Sequence, residues 1–282
     1  MKASRIVVGV HGIGNHRPGV TAQDAAGLIS RQWSQSLATS FARAQIDMES
    51  PEIEAAYYAD ILNLDERQSP DSIESLNDQE KEIFWKVLLG NGVPSEVGQG
   101  ILTVPLRQGL DWLCQKRGIA AGATARIISS FCREVHCYLA SPSRRRACQD
   151  VVLDLISEIH PNVLIAHSLG SVVAYEALHR LNSNFHIPLL VTVGSPLGLS
   201  GAVFEFLEPK PVDDVGLRPA AVGSWINISD PGDVVALPAR LGDKFAVDIH
   251  EEAHIGLFNF HSMNGYLSCG LVSAAISPFL EM

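Results

Sequence analysis

The chemistry in this chain centres on a serine at a tight turn, followed later in the chain by a carboxylate and a histidine. The serine lies in Ala166-His167-Ser168-Leu169-Gly170, between an apolar run, Val163-Leu164-Ile165, and a helical pattern of Val172, Val173, Leu178 and Leu181. Strand, turn and helix with serine at the apex is the context of a nucleophile elbow, in which the turn lifts the hydroxyl clear of the sheet. Strand and helix backbones nearly touch there, so small residues are needed two positions before and two after. Gly170 meets that demand, and Ala166 replaces the commoner glycine with one added methyl.

A serine hydroxyl is a poor nucleophile at neutral pH and needs a base, normally histidine oriented by a carboxylate. In an open parallel sheet, functional groups gather beyond the carboxyl ends of the strands. The candidates at those ends are Ser168, Asp233 and His261. Asp230, in the same loop as Asp233, competes for the carboxylate role, its other role being to start the turn at Pro231. His250 and His254 lie near His261 and are ordinary polar residues if His261 is the base. A tetrahedral intermediate also needs donors for its oxyanion. The amide of Leu169 and one from the Gly12-Ile13 region of His11-Gly12-Ile13-Gly14 are the candidates. His11 and His167 are expected to support loop geometry. Asn15, His16 and Arg17 either line the approach or shape a polar turn.

These groups must be carried by strands and helices. Ile6 to Val10 reads as a buried strand, and Ile53 to Tyr58 as a second. Between them, Thr21 and Asp24 begin a helix whose stripe is Ile29, Trp33, Leu37 and Phe41. Ser141-Pro142 starts another helix, with Val151, Val152, Leu155, Ile156 and Ile159 on one face. Ile187 to Val193 and Trp225 to Ile228 are further buried strands, and Phe245, Val247 and Ile249 alternate as a last, more exposed one. A helix from about Asn264 closes the chain. Apolar strands alternating with helices predict an α/β fold, with a mostly parallel sheet covered on both faces. Residues 60–140 fit this alternation poorly. Apolar stretches there (Ile83 to Leu89, Ile101 to Leu113) are chopped by Gly90, Gly92, Pro94, Gly98, Gly100 and Pro105. The segment is either a helical insertion forming a lid or cap over one end of the sheet, or an ordinary pair of packed core helices. With 282 residues, the chain is expected to be a single domain containing that insertion.

Composition narrows the function. Hydrophobic residues make up 46% and the mean hydropathy is +0.14, enough for a sizeable core. The net charge of −10 argues against a nucleic-acid partner. The one basic run, Arg144-Arg145-Arg146, is expected on a solvated helix face. The chain opens into a strand without a signal-type stretch, and no apolar segment is long enough for a transmembrane span. Five cysteines without C-x-x-C spacing read as free thiols of a reducing, cytoplasmic compartment. Cys132, His136 and Cys137 lack the spacing and fourth ligand of a metal site. Serine chemistry of this kind needs no metal or organic cofactor.

With these motifs in place, the chain resembles an α/β-hydrolase of the lipase and esterase kind, whose triad order is serine, acid, histidine. His11 to Gly14 resembles the His-Gly oxyanion loop, and Ala166 to Val173 the elbow of bacterial lipases. Gly194-Ser195-Pro196-Leu197-Gly198, the run from Asn227 through Asp230, Pro231 and Asp233 to Val235, and His261-Ser262 with Tyr266 resemble segments of intracellular DDHD-type phospholipases and related bacterial hydrolases. The segment 60–140 has no counterpart in that resemblance. It implies hydrolysis of a carboxylic ester or thioester, a small-molecule or lipid-like substrate with an apolar acyl part. Acyl transfer, including ring closure, shares the acyl-enzyme and stays open. So does a catalytically silent hydrolase fold used as a binding module.

Overall fold

A computed structural model describes residues 6–63, 72–97, 103–182, 185–256 and 261–280. Gly98, Gly100 and Ile101, which belong to the apolar stretches read above, lie outside the described residues.

Six strands form one all-parallel sheet: β1 (Ile6–Val10), β2 (Glu52–Ala56), β3 (Val163–His167), β4 (Ile187–Val193), β5 (Val222–Ser229) and β6 (Ile249–Glu252). Their spatial order is β2-β1-β3-β4-β5-β6. Strands β1, β3 and β4 are almost uniformly apolar because both of their faces are covered, and β5 is buried from Trp225 to Ser229. Successive side chains point to opposite faces, so Val163 and Ile165 enter one hydrophobic cluster while Leu164 and Ala166 enter the other.

The first cluster is closed by α1 (Ala22–Arg43), α8 (Met263–Ser268) and α9 (Leu271–Ile276). Thr21 caps α1 by accepting from the Asp24 N–H at 3.1 Å. Its expected stripe, Ile29, Trp33, Leu37 and Phe41, is buried against the sheet. The second cluster is closed by α3 (Asp78–Gly90), α4 (Thr103–Arg117), α5 (Ala121–Ala140), α6 (Pro142–Ile159) and α7 (Leu169–Arg180); a short helix, α2 (Ala59–Leu62), precedes them. Ile83, Phe84, Val87 and Leu88 of α3 and Ile128, Phe131, Val135 and Tyr138 of α5 share one core with Val8, Val10 and Leu164 of the sheet. The apolar stretches of 60–140 thus pack inward, onto the body of the fold. No helix among the described residues is long and apolar enough to cross a membrane.

Three details depart from the sequence reading. The alternation of Phe245, Val247 and Ile249 is not a strand throughout, since β6 begins only at Ile249. A 3-10 turn at Leu241–Asp243 precedes it, and the Phe245 N–H bonds back to Leu241 O. That turn delivers the Phe245 ring among Tyr175, Phe204 and Trp225, so its apolar position reports core packing. The closing helix is two, because Gly270 at φ +96° interrupts it. Arg145, expected in a solvated run, is 7% exposed and ion-paired with Glu176, which is 1% exposed. Glu176 also accepts from the Tyr138 hydroxyl at 2.6 Å, Gln149 Nε2 at 2.9 Å and the Glu208 N–H at 3.1 Å. Helices α5, α6 and α7 are thereby tied at one carboxylate. Arg146 is exposed, as the charge run implies.

Removing one member of a buried ion pair typically costs about 3–5 kcal/mol. Without Glu176, Arg145 keeps, among the described residues, only the exposed Glu208 carboxylate at 3.3 Å as ionic partner. Glu176→Ala is expected to lose stability of that order in urea denaturation. A loss below about 1 kcal/mol, the range of exposed pairs, would show the pair to be dispensable.

Candidate active site

The connection from β1 leads through α1 outward to β2, and the connection from β3 leads through α7 the other way to β4. Strands β1 and β3 are neighbours, so their carboxyl ends diverge around a crevice, the usual ligand position in an open α/β sheet. His11 to Gly14 leaves β1 into that crevice, and Ser168 leaves β3 into it.

Ser168 occupies a backbone conformation, φ 53° and ψ −132°, that side chains rarely adopt. Such a residue costs on the order of 1–3 kcal/mol and persists only where its surroundings over-determine it. Its N–H donates to Val193 O at 3.1 Å, while Ser171 Oγ donates to Ser168 O at 2.6 Å and touches Ser195 Oγ at 2.7 Å. The small residues are required as the sequence implied. A Cβ on Gly170 would stand 2.2 Å from His11 O, and one on Gly12 would stand 2.5 Å from Ser168 Cβ. Ala166 tolerates its methyl because that side chain points into the core, in register with Val10 and Thr192.

Ser168, His261 and Asp233 form a hydrogen-bonded row. Ser168 Oγ lies 2.7 Å from His261 Nε2, and His261 Nδ1 lies 2.8 and 2.9 Å from the two oxygens of Asp233. With Asp233 as acceptor, Nδ1 carries the proton and Nε2 is free to receive one from serine. Asp233 Oδ1 also accepts from the N–H groups of Val235 and Ala236, at 2.9 and 3.3 Å, and Oδ2 from the Tyr266 hydroxyl at 2.9 Å. Asp230 plays a different part. Its oxygens accept from the Gly232 and Ile255 N–H groups, each at 2.7 Å, and its own N–H donates to Tyr266 Oη at 2.9 Å. It staples the loop after β5 to the one after β6, with no contact to His261 among the described hydrogen bonds. His250 bonds Asn227 from β6, and His254 is an exposed loop residue, so neither joins the row.

The row is closed to solvent: Ser168 is 0%, Asp233 2% and His261 9% exposed. Two tethers hold the 60–140 helices over the loop that carries Asp233. Asn91 Nδ2 donates to Val234 O at 2.8 Å, and Arg117 Nη1 donates to Pro231 O at 2.9 Å. Beside this loop, a cleft of about 430 Å³ is lined by Arg117, Ile119, Asp230, Pro231, Gly232 and His254, with Gly256.

Two further histidines surround the row and stay neutral. Burial, with His261 and His11 nearby, pushes His167 well below the usual histidine range. Its ring stands 4.8 Å from that of His261, and its Nε2 is buried without a hydrogen-bond partner. Burial lowers His11 to about 4. The His11 ring is stacked at 4.0 Å on Tyr58, whose N–H donates to its Nε2 at 3.1 Å. That fixes the His11 tautomer, so Nδ1–H donates to Gly12 O at 2.8 Å. The Tyr58 hydroxyl donates to His11 O.

Of the anticipated oxyanion donors, Leu169 is the first residue of α7, so its N–H has no acceptor within the helix. Gly12 and Ile13 lie in the β1 loop, with Gly12 against Ser168. Asn15 shapes that loop, its Nδ2 donating at 3.1 Å to both Gly12 O and Ile13 O. Sequence reasoning did not single out Glu134, Arg117, Asn91 or Tyr58, because their partners are distant in the chain and no local spacing marks them. Tyr266 stood in the quoted His261 segment without a role; the structure supplies one.

No family model, curated protein or solved structure matches this chain.

His11 and His167 are neutral when folded and titrate near 6.5 when unfolded, so the unfolded state binds more protons in acid. Stability is therefore full above pH 6.5. For His11 it falls by about 1.4 kcal/mol per pH unit between 6.5 and its folded value of about 4. Urea denaturation of wild type and His167→Asn at pH 7, 6 and 5 is expected to show a shallower acid limb in the variant, by about one proton. Parallel limbs would mean that His167 charges in the folded protein.

Proposed function

We infer that this chain is a serine hydrolase of the α/β-hydrolase kind, acting on a carboxylic ester or thioester through an acyl-enzyme. The observation that carries this reading is the contact of Ser168 Oγ with His261 Nε2 at 2.7 Å, on a ring whose other nitrogen is held by Asp233. The strained elbow and the position of the row at the sheet's switch point support it independently.

In this mechanism Ser168 Oγ attacks the acyl carbon while its proton passes to His261 Nε2. Asp233 stabilises the resulting imidazolium and keeps its N–H aligned. The carbonyl oxygen becomes an oxyanion facing the amides of Leu169 and of the Gly12-Ile13 arm. His261 returns the proton to the departing alcohol or thiol, leaving Ser168 acylated. A water then gives its proton to the same histidine and attacks the acyl carbon; the bond to Ser168 Oγ breaks, His261 returns the proton to Oγ, and the acid leaves. Neutral His167 and His11 place no second positive charge beside the imidazolium. The exclusion of water around the row strengthens each of these interactions and suits an apolar acyl group.

One observation favours a second outcome of the same acyl-enzyme. Since Ser168 has no exposure, the acyl group is shielded from bulk water, and a bound alcohol or amine competes well as acceptor. Product analysis with competing nucleophiles distinguishes transfer from hydrolysis.

The test is fluorophosphonate labelling read by peptide mapping, together with turnover of graded acyl esters and thioesters. A single adduct on Ser168, absent from Ser168→Ala, is expected, with no turnover by that variant. Asp233→Asn is expected to lose about 10⁴-fold in kcat, because the histidine then takes the wrong tautomer. Asp230→Asn should keep kcat within about 10-fold while losing stability, since only its loop staple is weakened. Equal losses in the two variants would sink the assignment of the acid. A folded wild type that neither takes the label nor turns over any ester or thioester of the panel would sink the hydrolase reading and leave a binding module.

A further inference from the structure

The loop after β1 is anchored by a carboxylate from outside the sheet. Helix α5, in the segment without a counterpart in the resemblance, carries Glu134, which is 7% exposed. The Gly14 N–H donates to its Oε1 at 2.7 Å, across 120 residues of sequence. Gly14 sits at φ +72°, a conformation that glycine adopts without strain. Ser130 Oγ, one turn earlier on α5, lies 3.4 Å from the same oxygen.

The rest of the arm is held from the other side. Gly12 O accepts from His11 Nδ1 and from Asn15 Nδ2, and Asn15 also holds Ile13 O. The His11 ring lies over Tyr58, just beyond β2, whereas Gly12 abuts Ser168, just beyond β3. Strands β2 and β3 flank β1 on opposite sides. A trans peptide carries its C=O and N–H in opposite directions. The Gly12 carbonyl is thus tied to the His11 ring and Asn15, which leaves the Ile13 N–H of the same peptide pointing the opposite way from those partners.

We propose that Glu134 is a positioning residue for the oxyanion donor: through the Gly14 N–H it pins the free end of the 12–14 arm, so that the amide beside Ser168 keeps its aim. This rests on the hydrolase reading above and gives the α5 segment a part in the active site that a cover would not have. Glu134 itself touches no reacting atom. Its contribution is realised as charge develops on the carbonyl oxygen, so it belongs to kcat and to tetrahedral ligands, not to ground-state binding.

The experiment compares wild type, Glu134→Ala and Glu134→Gln, each checked for folding by thermal denaturation. Readouts are kcat and KM on an ester found by the panel, and the inhibition constant of an alkyl boronic acid, which forms a tetrahedral adduct on the serine. Loss of a whole oxyanion donor costs about 100- to 1000-fold. Loosening one should cost about 10- to 100-fold in kcat, with KM within about 3-fold. Boronate affinity should fall in parallel. Glutamine retains an acceptor oxygen and is expected to restore most of both. If Glu134→Ala does not fold, Asn15→Ala, on the half-buried turn, tests the same arm with the same readouts. Wild-type kcat and boronate affinity in a folded alanine variant would overturn the proposal, as would a kcat loss without a boronate loss. Wild type that neither labels nor turns over would overturn the hydrolase reading, and this inference with it. A labelled wild type alongside an unchanged variant overturns the inference alone.

Discussion

The constraint on which the rest depends is the contact between two backbones: the loop leaving β1 and the elbow leaving β3. Gly170 sits against His11 O and Gly12 against Ser168 Cβ, at separations where neither could carry a side chain. That approach lets α7 start directly at Ser168, with the arm of residues 12–14 against it. It also forces Ser168 into its positive-φ conformation. A strain on the order of 1–3 kcal/mol must be offset by neighbours, and the packing of β3, β4 and α7 offsets it through Val193, Ser171 and Ser195. Core and candidate site are therefore one construction.

The acid side of the row follows a different logic. Asp233 is held by two backbone amides and a tyrosine, so its carboxylate is oriented before His261 engages it. Burial, and the carboxylate beside it, keep the Tyr266 phenol protonated and able to donate. The same hydroxyl accepts from Asp230 N–H, so one tyrosine joins the loop after β5 to α8, just beyond His261. Asp230, in the loop after β5, extends that junction to the loop after β6 by accepting from the Ile255 N–H. Two neighbouring aspartates thus divide the work, one facing histidine and the other satisfying backbone donors. The carboxylate that faces His261 is therefore held on both oxygens before the histidine is counted.

Much of this was legible in the sequence, because it is written in local patterns. Apolar runs ending in glycine or histidine mark buried parallel strands and their carboxyl ends, and the small residues around Ser168 mark a close approach. The choice between Asp230 and Asp233 was not legible, since both share one loop and only three-dimensional partners separate them. Phe245 and Val247 misled because a ring inserted from a turn leaves the same alternation as a strand. Arg145 misled because a charge run gives no hint that one member meets Glu176 under the fold. The Arg145 miss and the choice between the two aspartates have the same origin. Periodicity reports which side of an element is apolar, while polar partners across long separations leave no periodic trace.

That blind spot is widest for residues 60–140, where function and packing overlap. Read by composition alone, the segment has the apolar content of a cover. In the structure its stripes face one another and helices α6 and α7 within the second cluster, and its polar residues make three specific bonds around the row: Asn91 to Val234, Arg117 to Pro231 and Glu134 to Gly14. The first two hold the loop that carries the acid, and the third holds the arm beside the serine. A segment whose apolar face is sunk in the core cannot shift far without exposing that face. Its polar contacts are then as fixed as the core itself. Such a scaffold reaches both ends of the candidate site at once, so changes in its packing would move the Asp233 loop and the 12–14 arm together.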